Sequence, residues 1–203
     1  MQENDMTYSI IGSGRIGAAV ARQFARAGLD ILIANKRGAE SLADLVRELR
    51  PHVKPAPLAE VLAADIVFLA VPYDAIGTVT SGVADWKGRI VIDATNAIDY
   101  PAFTPRDLGG RPSSDIVAAA LKGARVVKAF NTLPAAILAQ DPIEGPGRRV
   151  LFVSGDDAAA NAEVAGLIEK LGFAPILLGK LAEGGRLQQF GAPLVAQNFI
   201  KAG

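Results

Sequence analysis

A glycine-rich turn near the amino terminus constrains the fold of this chain more than any other feature. The apolar segment 7–11 precedes the turn, and the sequence GSGRIG at 12–17 matches the pattern G-x-G-x-x-G. After the turn, apolar residues recur at helical spacing up to Gly28, at Ile16, Val20, Phe24 and Ala27. A strand, a glycine turn and a helix in this order form the phosphate-binding unit of dinucleotide-binding domains. The sequence therefore predicts such a unit at the start of the chain.

All six residues of the turn are predicted to bind the cofactor, and their types fit that role. Gly12 permits the tight turn, Gly14 lets a pyrophosphate approach the backbone, and Gly17 lets the helix pack against the strand. Arg15 puts a cation in the first helical turn, which opposes the helix dipole unless a phosphate binds there. A solvated arginine that points away from the site is the alternative for this residue. The predicted contacts are Gly12, Ser13, Gly14, Arg15, Ile16 and Gly17.

The end of the second predicted strand indicates which dinucleotide binds. NAD-binding domains usually carry Asp or Glu there, about 20 residues past the motif, to hold the ribose hydroxyls. This chain has Asn35, Lys36 and Arg37 instead. No carboxylate at this position repels a 2′-phosphate, and two cations are placed to bind one. The segment therefore predicts NADP(H) as the cofactor, with an ordinary solvated loop as the alternative.

Apolar strands and amphipathic helices alternate along the chain. The uninterrupted apolar runs 66–71 and 90–92 are typical of parallel strands buried on both faces. This alternation predicts an α/β fold of the Rossmann type, with a doubly wound, mostly parallel sheet and a small carboxyl-terminal α/β annex. We expect an NADP-binding domain over 7–132 and an extension of strands, a helix and a tail over 133–203. Residues 93–112 are expected to form a long loop, and the tail from Leu181 shows no clear period.

Composition and charge exclude several classes of function. The 203 residues carry 21 basic and 21 acidic side chains, and a net charge of zero argues against nucleic acid or an anionic membrane as partner. The absence of cysteine excludes disulfides, thiolate nucleophiles and thiolate metal sites, and we expect no metal site. The polar, acidic amino terminus lacks the basic start and apolar run of a secretory signal, so we expect a cytoplasmic protein.

Residues that follow other predicted strands are further candidates for the site. Val71 and Pro72 end one strand and are placed to pack beside a nicotinamide ring. The polar residues after the next two strands either line the cofactor or cap loops. These are Asp93, Asn96, Lys128 and Asn131. No catalytic residue is predicted, because the single histidine, His52, follows a polar helix far from any strand end.

Several segments together resemble the dinucleotide-binding proteins grouped with NADPH:coenzyme F420 oxidoreductases. The resemblance covers the chain from about Thr7 onward, and KAFNT at 128–132 is its most specific piece because it lies outside the generic glycine motif. The segments are GSGRIG, ANKRG, FLAVP, DATN, KAFNT, LFVSGDD and GGRLQQFGAPL. The chain departs from the established enzymes in having Asn35-Lys36 where they commonly have Ser-Arg, and in its tail at 188–190.

The resemblance implies further site residues and partners. It implies NADPH binding through the glycine turn, the segment 35–37, Val71–Pro72, and the three residues Ala129, Phe130 and Asn131. It also implies a homodimer in which a deazaflavin stacks against the nicotinamide. We expect an NADPH-dependent oxidoreductase that passes hydride to a flat ring acceptor, coenzyme F420 or a flavin-like molecule. The alternatives are a reductase of a small carbonyl or imine, with a proton supplied through Lys128 or Asn131, and a non-catalytic NADP-sensing dimer.

Overall fold

A computed structural model describes residues 6–202 of the chain. A large sheet with helices on both faces is accompanied by a two-stranded sheet. The strands are β1 (Tyr8–Ile11), β2 (Ile31–Ala34), β3 (Val53–Pro55), β4 (Ile66–Leu69), β5 (Ile90–Asp93), β6 (Ile98–Asp99), β7 (Thr104–Pro105), β8 (Arg125–Lys128), β9 (Ile143–Glu144), β10 (Gly147–Gly155), β11 (Ala174–Leu177) and β12 (Ile200–Ala202). The α-helices are α1 (Arg15–Arg26), α2 (Ala43–Glu48), α3 (Leu58–Val61), α4 (Ile76–Thr80), α5 (Ser113–Ala120), α6 (Ala135–Leu138), α7 (Ala158–Lys170) and α8 (Arg186–Gln188). Short 3-10 helices lie at Ala39–Leu42 and Tyr73–Ala75, and a π-helix lies at Leu181–Gly185.

Six parallel strands in the order β3-β2-β1-β4-β5-β8 form the centre of the large sheet. The chain runs outward from β1 to β3 and then returns to the other side of β1 at β4. This reversal opens a crevice at the carboxyl ends of β1 and β4, where α/β sheets of this kind bind their ligands. The doubly wound, mostly parallel sheet predicted from the sequence is confirmed.

Alternate strand residues point to opposite faces of the sheet, so each face has its own hydrophobic core. In β4, Ile66 and Phe68 pack in one core with residues of α1, α2 and α7. Val67 and Leu69 pack in the other with residues of α3, α4 and α5. All four side chains are at most 1% exposed, which explains why this strand reads as an uninterrupted apolar run.

Strands from the carboxyl-terminal part of the chain extend the same sheet beyond β8. Here β10 pairs antiparallel with β8, with Ser154 opposite Lys128, and β11 pairs parallel with β10. The connection from β8 to β10 holds only the four-residue α6 and the hairpin strand β9, and neither is long enough to act as a crossover helix. The segment predicted as an extension from residue 133 therefore shares one continuous sheet with the nucleotide-binding part.

Two segments contain more regular structure than the sequence predicts. Residues 93–112 are not simply a loop, because β6 and β7 pair as an antiparallel hairpin. The tail forms the π-helix, α8 and β12. Elements of two to five residues are too short to show a hydrophobic period, so the sequence could not reveal them. Within residues 6–202, no helix combines the length and apolar character needed to cross a membrane.

Candidate functional site

The glycines of the turn after β1 meet different surroundings. A Cβ atom added to Gly12, whose φ is 106°, would lie 2.2 Å from the carbonyl oxygen of Ala70. One added to Gly17 would lie 1.9 Å from the carbonyl oxygen of Gly12. One added to Gly14 meets no atom within 4 Å. Gly12 and Gly17 are therefore required for packing within the protein, whereas Gly14 borders open space.

No side chain among residues 6–202 caps the start of helix α1. Its N-cap residue is Gly14, no side chain accepts from the first backbone N–H groups, and its first turn has no acidic residue. Helix α7, by contrast, begins at Asp157, whose side chain accepts a 2.7 Å hydrogen bond from the Ala160 N–H. An uncapped helix that carries the cation Arg15 in its first turn lacks the negative charge that stabilises a helix start. A bound phosphate would satisfy both features.

The loop after β2 is held in place by Asn35. Its amide nitrogen donates to Ser13 Oγ at 2.7 Å and to Ser41 Oγ at 2.9 Å, and its carbonyl oxygen accepts from the Arg37 N–H at 2.8 Å. Lys36 and Arg37 are exposed, and neither forms an ion pair with any residue from 6 to 202. Asn35 thus connects the glycine turn to a loop whose two cations are available to a ligand.

A cleft of about 420 Å³ lies at the reversal point of the sheet. The loops after β1, β4 and β5 form its walls. Predicted site residues on these walls are Gly14, Arg15, Ile16, Val71, Pro72 and Asn96. The structure therefore brings together residues from three of the predicted segments, at the edge of the sheet where the fold predicts a ligand.

Lys128 does not line this cleft, although it is the last residue of β8. Its side chain is fully buried, and its Nζ lies 3.1 Å from Asp93 Oδ2 and donates to the Thr95 carbonyl at 2.5 Å. Burial lowers the pKa of Lys128 below its usual value, and the Asp93 carboxylate opposes that shift. Asp93 also accepts from the hydroxyl groups of Thr95 at 2.6 Å and Ser114 at 2.8 Å. Of the two alternatives for Lys128 and Asp93, the structure contradicts lining of the cofactor, because both side chains are buried and pair with each other inside the protein.

The remaining predicted residues lie behind the cleft. Ala129 and Phe130 are buried in the core, where the Phe130 ring packs on the Phe68 ring. The backbone of Phe130 has a positive φ of 63°. Asn131 is 3% exposed and donates to Asn96 Oδ1 at 3.0 Å and to the Gln188 carbonyl at 2.6 Å. The side chains of Ala129 and Phe130 therefore face the core, and Asn131 acts next to the cleft through its hydrogen bonds with Asn96.

His52 lies at the other edge of the sheet. Its Nδ1 is 2.9 Å from Asp30 Oδ1, and its carbonyl accepts from the N–H of Ile31, the first residue of β2. This places it at the amino end of the parallel strands, away from the cleft, as expected for a residue without a catalytic role. Within residues 6–202, no group of three or more His, Asp or Glu side chains is placed to hold a metal ion.

Sequence reasoning missed two tyrosines on the walls of the cleft, Tyr73 and Tyr100. The Tyr73 hydroxyl donates to the Ser113 carbonyl at 3.3 Å, and burial raises the pKa of this phenol. Tyr100 stands at the tip of the β6–β7 hairpin, 71% exposed, with its ring centroid 5.9 Å from that of Phe103. The sequence shows Tyr100 and Phe103 close together in the segment YPAF. Their place beside the cleft depends on the β6–β7 hairpin, which the sequence did not predict.

Comparisons with known proteins agree with the geometry of this site. A family model described as NADP oxidoreductase coenzyme F420-dependent matches residues 7–97, from β1 to the loop after β5. The crystal structure of a hypothetical protein from Sinorhizobium meliloti is 56% identical, with a TM-score of 0.94 over 97% of this chain and 96% of that one. A candidate F420-dependent NADP reductase from Arthrobacter sp. FB24 is 29% identical, with a TM-score of 0.73 over 87% of this chain and 86% of that one.

A curated relative shows the same module in a longer protein. The metalloreductase STEAP3 of Rattus norvegicus is 23% identical over 175 residues, which is 85% of this chain. The chain spans only 34% of the length of that relative. Residues 7–97 therefore form a domain of the NADP oxidoreductase coenzyme F420-dependent family, a family of NADP-dependent oxidoreductases, and the chain shares its fold over most of its length with the Sinorhizobium and Arthrobacter proteins.

Proposed function

We propose that this protein transfers hydride from NADPH to a flat ring acceptor, either a deazaflavin such as coenzyme F420 or a flavin. The observation that carries this proposal is an exposed aromatic pair at the rim of the cleft. Tyr100 and Phe103 are 71% and 60% exposed, although large aromatic side chains are usually buried. An exposed ring beside a cofactor cleft offers a flat apolar face against which a second ring can stack.

Residues of the cleft and of the loop after β2 fit the cofactor in three places. The open space at Gly14 and the uncapped start of α1 suit the pyrophosphate. Lys36 and Arg37 suit the 2′-phosphate, because both are exposed and without ion pairs among residues 6–202. Val71 and Pro72 give an apolar wall for the nicotinamide. When bound, NADPH supplies the hydride, and the work of the protein is to position two rings and to exclude water from between them.

The chemistry of the cleft favours this reaction over reduction of a carbonyl or imine. That alternative needs a proton donor beside the substrate. Lys128 is buried in the core, and the side-chain amide of Asn131 is hydrogen-bonded to Asn96 and to the Gln188 carbonyl. Tyr73 is a half-buried phenol on the wall, and its hydroxyl already donates to the Ser113 carbonyl. Hydride transfer between stacked rings requires orientation rather than a side-chain acid. A sensing role without turnover makes no use of the exposed rings.

The test is transfer of deuterium under anaerobic conditions. Protein with NADPH deuterated at C4 of the nicotinamide is mixed with coenzyme F420, FMN or a cyclic imine, and NADPH oxidation is followed by absorbance. We expect oxidation by a ring acceptor and deuterium on C5 of the reduced deazaflavin. Turnover of the imine alone would establish the alternative, and the absence of turnover with every acceptor would favour the sensing role.

Two variants of Tyr100 separate ring stacking from proton donation. Tyr100→Phe keeps the ring and removes the hydroxyl, so we expect an unchanged rate. Tyr100→Ala removes the ring, and loss of an aromatic contact should raise KM for the acceptor by about threefold to tenfold. A large fall in kcat for Tyr100→Phe, with loss of an ionisation from the pH profile, would assign this residue as a general acid and contradict the proposal.

A further inference from the structure

A second and smaller pocket, of about 170 Å³, lies beside the cleft. It is bordered by the loop that leads into α5, by the first residue of that helix, and by the start of α8. The residues that matter here are Arg106, Asp107, Arg111, Ser113, Arg186 and Gln189. Three arginines, two from the loop before α5 and one from α8, thus line a space large enough for a carboxylate or phosphate group.

Two of the arginines at this pocket, Arg111 and Arg186, have no carboxylate partner within residues 6–202. The Arg186 guanidinium donates to the carbonyls of Ala182 at 3.1 Å and Gly110 at 2.9 Å, which leave its charge uncompensated. Arg111 is exposed, and neither arginine forms an ion pair within residues 6–202. Arg106 adds no positive charge, because the carboxylates of Asp74 and Asp99 both pair with it. Asp107 also lines the pocket, so the three arginines and these three carboxylates balance, and the attraction for an anion comes from the unpaired guanidinium groups of Arg111 and Arg186.

Ser113 provides an independent sign of a ligand. This wall residue is only 1% exposed, and its buried Oγ has no hydrogen-bond partner within residues 6–202. A buried hydroxyl without a partner is costly, so such groups are rare in folded proteins. Ser113 is also the first residue of α5, a helix of eight residues whose dipole favours negative charge at this end, where Asp115 already lies in the first turn.

We propose that this pocket binds a carboxylate or phosphate group of the hydride acceptor, which makes the acceptor an anionic molecule. The assignment to the acceptor rests on the function proposed above. Arg106 connects the two spaces, because its guanidinium lies 5.9 Å from the ring centroid of Tyr73 and pairs with Asp74, and both residues line the cleft. Ala97 on the pocket wall directly follows Asn96 on the cleft wall. An acceptor with its ring in the cleft can therefore place a charged substituent in the pocket.

The pocket itself is tested with inorganic phosphate, in calorimetric titrations of the protein saturated with NADPH. A charge-assisted hydrogen bond contributes enough that Arg111→Ala and Arg186→Ala should each weaken phosphate binding by about tenfold. Ser113→Ala should weaken it by about threefold. Arg148→Ala removes an exposed arginine outside the pocket and should leave phosphate binding unchanged. A parallel titration with acetate distinguishes a carboxylate site from a phosphate site.

The assignment to the acceptor is tested with FMN and riboflavin, which share one ring system and differ by a phosphate. We expect KM for FMN to be about tenfold lower than for riboflavin, and Arg111→Ala to remove that difference without changing KM for riboflavin. Equal KM values for the two flavins would overturn the assignment. Phosphate binding that is undetectable, or that survives in Arg111→Ala, would overturn the pocket. Lack of NADPH turnover with both flavins counts against the proposed function instead, because phosphate binding is measured without turnover.

Discussion

At the scale of single residues, we expect Gly14 to matter for cofactor binding, and Gly12 and Gly17 to matter for stability. Valine is sterically allowed at Gly14, whose φ is −69°, and its side chain would enter the open space in which we place the pyrophosphate. We expect Gly14→Val to lose NADPH binding in calorimetry while its midpoint of urea unfolding stays close to that of the wild type. A folded Gly14→Val protein with undiminished NADPH affinity would contradict the assignment of the turn.

Gly17→Ala is the matched change with the opposite result. Its Cβ would lie 1.9 Å from the Gly12 carbonyl oxygen, so the helix and the turn must separate. Overpacking of this kind typically costs about 1–3 kcal/mol of the free energy of unfolding. Urea unfolding of Gly17→Ala should therefore show a clear loss of stability that Gly14→Val does not show.

We predict that Arg37 selects NADPH over NADH. The backbone N–H of Arg37 donates to the side-chain oxygen of Asn35, which holds this residue beside the glycine turn. Its guanidinium group is exposed and therefore available to a ligand. A hydrogen bond between charged groups contributes about 1.5–3 kcal/mol, so Arg37→Ala should weaken NADPH by about 10–100-fold and hardly affect NADH. Arg50→Ala, at another exposed arginine, is the control. Equal affinity of the wild type for NADH and NADPH would contradict this assignment.

At the scale of elements, the buried pair between β5 and β8 should matter for stability rather than for chemistry. Lys128→Met leaves the Asp93 carboxylate buried without its cation, which typically costs about 3–5 kcal/mol. In the double variant Lys128→Met/Asp93→Asn the loss should be smaller than the sum of the two single losses. Urea unfolding of the three variants measures this coupling. Strict additivity would show that the two side chains do not interact as described.

The glycine motif and the alternation of elements were predictable because both are local patterns. The motif occupies six consecutive residues, and each central strand reads as an apolar run because both of its sides are buried. The fate of Lys128 was not predictable in this way. A residue at the end of a strand can point toward the ligand or into the core, and only the partner Asp93, on a neighbouring strand, decides between the two.

The second pocket could not be predicted from the sequence either, because it is formed by residues that are distant along the chain. Arg111 and Arg186 are far apart along the chain and meet only because α8 packs near the start of α5. The exposed rings of Tyr100 and Phe103 depend on strands of two residues, which have no detectable period. What the sequence missed is therefore nonlocal, whereas the nucleotide-binding turn is contained in one segment.

At the scale of the whole molecule, we predict a homodimer that uses part of the tail. Among its apolar side chains, Leu187, Phe199 and Ile200 are 38–44% exposed. Light scattering at micromolar concentration should give about twice the mass of the 21.1 kDa chain. Ile200→Lys should yield the monomer mass, while Leu58→Lys, at a similarly exposed residue on α3, should not change it. A monomeric wild type would rule the prediction out.

The continuity of the sheet has a consequence for how the molecule responds to its cofactor. Because β10 and β11 are hydrogen-bonded into the sheet that carries the glycine turn, we expect the two halves of the chain to unfold in one cooperative transition. A ligand at 100 times its Kd stabilises such a protein by about 2.7 kcal/mol as a whole. Amide protons of β11 that exchange only through global unfolding should then exchange about 100-fold more slowly with NADPH present, although that strand lies at the far edge of the sheet from β2.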